Sequence, residues 1–134
     1  MCIRDSLGSN TIILTVTDVN GNVSTCSAIV TVEDNIAPSI NCANDSTVSM
    51  DSDQCNYTIT GSEGWDATSA DNCYVSELYY TLSGVTTGGG IISATSLNNV
   101  DLNLGATTIT WTSVDTSGNT TTCSFVVTVE DNQA

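Results

Sequence analysis

Residues 104–132 read LGATTITWTSVDTSGNTTTCSFVVTVEDN, and residues 7–35 read LGSNTIILTVTDVNGNVSTCSAIVTVEDN. The two stretches align without a gap at an offset of 97 and agree at 17 of 29 positions. Self-similarity at a fixed period marks an array of like modules. Each copy reads as a β-hairpin. In the second, Ile109 and Trp111 alternate with Thr108, Thr110 and Thr112, Asp115 to Asn119 supplies turn chemistry, and Cys123, Phe125, Val127 and Val129 alternate on the return strand. Period-2 alternation on both sides of a Gly/Asn turn is the strongest short-range hairpin signal. The first copy repeats the pattern with Ile12, Leu14 and Val16, then Cys26, Ala28, Val30 and Val32.

Working outward, a period near 97 residues made of strands matches the size of one immunoglobulin-like sandwich. Residues 39–132 are expected to form a complete all-β Greek-key sandwich of about seven strands. Residues 7–35 are expected to be the C-terminal hairpin of a truncated upstream repeat, since a lone hairpin is marginal in water. Residues 36–38 form a linker closed by Pro38, the only proline, and residues 133–134 begin the next linker. The residue before a proline is held extended, which stiffens such a junction. Met1 to Ser6, MCIRDS, has no counterpart in the second copy and lacks an apolar signal-peptide core; it reads as a non-native leader.

Composition excludes several classes of function. The chain has one Lys or Arg against fifteen Asp and Glu, no His, and a net charge of −14. The single cation is Arg4, outside the repeat. Nucleic acid, which needs clustered cations, is excluded as a partner, and so is an anionic membrane surface. Nucleophilic triads lack their base, and zinc lacks its usual imidazole. Six cysteines without a CxxC pair point to disulfides in an oxidising, extracellular setting rather than to metal.

Between the hairpins, Ser39–Cys42 and Ser46–Met50 read as a broken first strand, and Cys55–Thr60 as a second. Residues 61–72, GSEGWDATSADN, read as a long polar loop, Tyr74–Leu82 as a third strand, Gly88–Gly90 as a turn, Ile91–Ser96 as a further strand, and Leu97–Gly105 as a crossing. In the third strand Leu78, Tyr80 and Leu82 share one face parity, opposite Val75 and Glu77.

The ordered set Pro38-Ser-Ile-Asn-Cys42, Gln54-Cys55, Ala70-Asp-Asn-Cys73, Leu104-Gly105, Asp115-Thr-Ser-Gly-Asn119, Thr122-Cys-Ser124 and the terminal Val-Glu-Asp-Asn resembles the HYR (hyalin repeat) domain. The resemblance implies an immunoglobulin-like fold, tandem arrangement in secreted or cell-surface proteins, an association with adhesion, and no catalytic residues. Partners would be neighbouring repeats and a cell-surface protein or glycan. Four cysteines within the complete module allow three pairings. The first and last strands of such a sandwich run side by side from the same end, so Cys42 with Cys123 is the preferred pair. Cys55 with Cys73 would be the second, provided the loop 61–72 folds back along its strand. Cys26 would pair with a cysteine of the upstream repeat.

In this topology the linker enters at the end that carries the loop after the second strand and the turn of the final hairpin. Glu33, Asp34 and Asn35 should therefore approach Asp66, Asp71 and Asn72, together with Asp115 and Asn119. Converging carboxylates and amide oxygens are hard ligands of the kind Ca2+ takes six to eight of. The linker also resembles the calcium linker of cadherins without its full motif. Against this, Asp and Asn before turns commonly cap and solvate them. Trp65, in the acidic loop, could stack on a sugar ring, making the chain a carbohydrate-binding module; the plainer expectation is that it covers the end of the core. Glu63, Asp66 and Asp71 lack the rigid support of a glycosidase pair. The orphan hairpin could also complete a neighbour by strand addition, giving a polymerising subunit. Sequons at Asn22, Asn44, Asn56 and Asn119 permit N-glycosylation on a eukaryotic secretory route.

Overall fold

The computed structural model describes residues 7–89 and 95–132. The described residues contain no helix and fold as eleven strands. Strands β1 (Gly8–Thr17) and β2 (Val23–Val32) form a two-stranded sheet of their own. The module follows with β3 (Ser39–Asn41), β4 (Ser46–Ser49), β5 (Asn56–Thr58), β6 (Thr68–Ala70), β7 (Val75–Gly84), β8 (Gly88–Gly89), β9 (Asp101–Asn103), β10 (Gly105–Asp115) and β11 (Thr120–Glu130).

One layer is a five-stranded sheet in the order β4-β11-β10-β7-β8. Its centre is the terminal hairpin, whose Thr- and Val-rich strands suit a pleated, half-buried surface. β10 runs antiparallel to both β11 and β7, and β11 runs parallel to β4. The pairs β3-β6 and β5-β9 complete the opposing layer. The broken first strand is real: β3 lies in one layer and β4 on the edge of the other, and the Asp45 carboxylate starts the β4 ladder by accepting the Val126 amide at 2.8 Å.

The core lies between the layers, and alternation fills it. Along β10, Thr107, Ile109, Trp111, Ser113 and Asp115 are buried, each at 0–2 % exposure. β11 contributes Phe125, Val127 and Val129, and β7 contributes Tyr80 and Leu82, while Leu78 is half-buried. Ile59, Trp65, Ala67, Leu97 and Leu102 close the core from the other side. Trp111 packs edge-on against Tyr80, with ring centroids 5.2 Å apart, and its indole N–H donates to the Trp65 carbonyl at 3.2 Å. β7 ends at Gly84, whose φ of +105° and whose approach to the Ala106 carbonyl, 2.6 Å from where a Cβ would sit, leave room for no other residue.

Three local expectations change. The loop 61–72 contains a strand, β6, and the crossing 97–105 contains another, β9. Both are three residues long and exist through pairing rather than through any period of their own. Gly88–Gly89, expected as a turn, pairs with β7. The expected strand Ile91–Ser96 falls largely on residues 90–94, outside the described residues.

Among the described residues, the hairpin β1-β2 packs extensively on no module strand. Its base, around Leu7, Gly8 and Val32, reaches the linker and Ser117.

Candidate functional site

A disulfide joins Cys42 to Cys123, with Cα atoms 6.0 Å apart. It ties the end of β3 in one layer to β11 in the other. The expected Cys55–Cys73 bond is corrected: Cys55 is a free, exposed thiol. The reason is distance along the sandwich. Cys55 follows the turn after β4, where the Met50 amide donates to the Glu130 carbonyl at the end of β11. Cys73 lies at the start of β7, where the Thr116 amide donates to the Tyr74 carbonyl beside the β10-β11 turn. The eleven residues of β11 separate those ends by roughly 30 Å at about 3.3 Å per residue. Cys26, on the projecting hairpin, is also free and exposed.

At the β10-β11 turn end, three carboxylates converge. Asp34 from the linker, Asp71 after β6 and Asp115 at the end of β10 have oxygens all within 4.8 Å of one another. The inward parity of β10 places Asp115 there, helped by an irregularity of the β7-β10 ladder between Val114 and Asp115. At this point the Ser76 hydroxyl donates to the carbonyls of Val114 and Asp115. Asp115 Oδ1 accepts the amides of Ser117 and Asn119 at 2.7 and 2.8 Å, and Oδ2 accepts the Asn119 side-chain amide at 2.7 Å. Burial pushes the Asp115 carboxyl up, but the side-chain and backbone donors of Asn119, with the amides of Ser117 and Gly118, outweigh it and hold the group ionised below its ordinary range. Asp71 Oδ2 accepts the amides of Cys73 and Tyr74 at 2.8 and 3.0 Å.

The linker is clamped to this end. Asn119 Nδ2 also donates to the carbonyls of Asp34 and Ile36, at 3.0 and 3.4 Å. Asn72 Nδ2 donates to Asp34 Oδ1 at 3.3 Å. Two oxygens remain: Asp34 Oδ2 and Asp71 Oδ1 are buried and have no hydrogen-bond partner. Carboxylates at this spacing repel one another whenever both are charged. No basic side chain lies between residues 7 and 132 to relieve them. The arrangement thus brings together hard, anionic oxygens of the kind that divalent cations take as ligands.

Of the eight residues expected here, Asp34, Asp71 and Asp115 meet. Asn119 faces the linker through its amide nitrogen, as a clamp. Glu33 and Asn35 are exposed beside Asp34. Asp66 does not take part: its carboxylate accepts the Leu97 amide at 2.7 Å, and β6 runs between it and Asp71, so the two groups sit at opposite ends of one strand. Asn72 reaches the linker through its amide nitrogen, which donates to Asp34 Oδ1.

Trp65 is buried, at 6 % exposure, with its ring between Tyr57 and Phe125 at centroid distances of 6.0 and 6.3 Å. The ring therefore presents no platform for a sugar, and the ligand-binding expectation gives way to a core role. Glu63 is likewise engaged locally, accepting from the Tyr57 hydroxyl and from the Thr60 amide and hydroxyl.

No curated protein matches this chain. The HYR domain family matches residues 33–129, a span that begins at the linker acid pair, takes in all three converging carboxylates and the Cys42–Cys123 bond, and ends in the final core strand, and the chain therefore belongs to the HYR domain family.

Proposed function

We propose that the chain serves as a non-enzymatic spacer or adhesion module within a tandem array, with its inter-repeat junction clamped by calcium at Asp34, Asp71 and Asp115. HYR domains are immunoglobulin-like extracellular modules that are non-catalytic and occur in tandem arrays. The observation that carries the reading is that three segments far apart in sequence bring three carboxylates together, two of whose buried oxygens have no partner within the chain. An ion bound there would join the linker to the module at its entry point. Flexing would then require its release, and the array would behave as a stiff rod holding other domains away from a surface.

The test is thermal unfolding of the chain with calcium and then with EDTA, with magnesium for comparison. A ligand that binds only the folded state adds RT ln(1 + [L]/Kd), about 2.7 kcal/mol at a hundredfold excess over Kd. The expected result is a rise in Tm with calcium that Asp71→Asn removes. An unchanged Tm, or a rise that survives Asp71→Asn, would reject the clamp and leave a spacer held by its disulfide and core.

A further inference from the structure

We infer that the hairpin β1-β2 is a docking surface for the N-terminal strands of a preceding HYR-type module, meaning the strand set that residues 39–103 supply to β10-β11 in this one. The proposal stands apart from the calcium reading and rests on a comparison within the molecule. Every partner pair of β1-β2 recurs 97 residues later: Gly8↔Val32 as Gly105↔Val129, Leu14↔Cys26 as Trp111↔Cys123, Thr17↔Val23 as Val114↔Thr120. The turns correspond as well. Asp18 Oδ1 accepts the amides of Asn20 and Asn22 and its Oδ2 accepts the Asn22 side-chain amide, as Asp115 does with Ser117 and Asn119. The hairpin is thus already in its seated conformation.

What differs is the seat. Ile12, Leu14 and Val30 are 57 %, 61 % and 44 % exposed, whereas their counterparts Ile109, Trp111 and Val127 are at 0 %. In the module, β7 occupies the outer edge of β10 in antiparallel register and β4 that of β11 in parallel register. Neither edge of β1-β2 is paired among the described residues. Unpaired edges with an apolar face are templates for strand addition. The occupant is therefore specified: a long strand antiparallel to β1, a short strand parallel to β2 near Val30–Glu33, and an apolar layer over Ile12, Leu14, Val16, Val30 and Val32. It also brings a thiol. Cys26 is free and exposed, while its counterpart Cys123 is bonded to Cys42. A second copy of this chain does not supply the seat, because its own strands β4 and β7 are already taken by β11 and β10.

The probe is a fragment of residues 37–103, a module without its last hairpin, mixed with the full chain in a glutathione redox buffer. Expected are at least tenfold slower hydrogen exchange at Ile12, Leu14 and Val30, and a disulfide from Cys26 to Cys42 of the fragment in the peptide map. Leu14→Asp, far from the module core, should abolish both and leave the module's own Tm unchanged. Joining the same fragment directly ahead of Leu7 fixes its concentration and guards against its aggregation; the hairpin amides should then be protected in the fused chain. Unchanged exchange in the fused chain, binding that survives Leu14→Asp, or protection of the hairpin by self-association of the full chain alone would each overturn the proposal.

Discussion

Glu63 shows how a single side chain sets a pH dependence. Its Oε1 accepts three donors, from Tyr57 and twice from Thr60, at 2.8 to 3.0 Å. Burial alone would raise its carboxyl, but the Thr60 amide and the Tyr57 hydroxyl prevail and bring it down to about 2 from 4.5. Its partner moves the opposite way: burial first, then Glu63, pushes the Tyr57 hydroxyl up to about 12. Because the folded value lies below the unfolded one, the folded state holds its proton less tightly. The stabilisation is complete above about pH 4.5 and disappears as pH falls towards 2. Urea midpoints at several pH values should show Glu63→Gln less stable than the parent at pH 7, with the gap closing between pH 4.5 and 2. A gap of constant size would show that the carboxylate's charge is not its source. At this scale the sequence exposed the acids but not their partners. Asp71 and Asp115 were legible as turn-starting acids, whereas Asp66 reads the same way and instead caps Leu97, a contact 31 positions away.

Among the elements, the terminal hairpin was legible because both of its strands alternate strictly and its turn is rich in Asp, Gly and Asn. The short strands were not. β6 has no alternation; it exists because Ser39 pairs with Ala70, with Ser39 Oγ donating to the Ala70 carbonyl and Ser69 Oγ to that of Ser39. The disulfide acts between elements, joining the end of β3 to β11 across the core and closing 81 residues. By loop entropy such a closure is worth about 4–5 kcal/mol. Cys42→Ser combined with Cys123→Ser should lower the denaturant-derived stability by an amount of that order. The β3-β6 pair, which depends on few other contacts, should lose hydrogen-exchange protection before β10-β11. Equal loss of protection in both would show that the bond acts only on the unfolded chain.

On the scale of the whole molecule, charge acts as a field rather than as pairs. With a net charge of −14 and a single cation at Arg4, the folded chain repels itself. Raising KCl from 10 mM to 0.5 M shortens the screening length from about 30 Å to under 8 Å. The Tm should therefore climb steadily with salt. Asp71→Asn should keep most of that climb, since one charge in many is removed, while losing the response to calcium; a parallel loss of both responses would reduce the calcium effect to screening. The sequence by itself determined the repeat, the all-β class, the two hairpins and the preference for Cys42 with Cys123. Those features rest on periodicity and on the order of strands, which the chain writes locally. Only the tertiary structure decided that Cys55 and Cys73 lie at opposite ends of the sandwich, that Trp65 is core, and that Asp34, Asp71 and Asp115 meet while Asp66 does not. Those outcomes depend on which strand ends are brought together across the two layers, and short strands held by pairing carry no period from which that could be read.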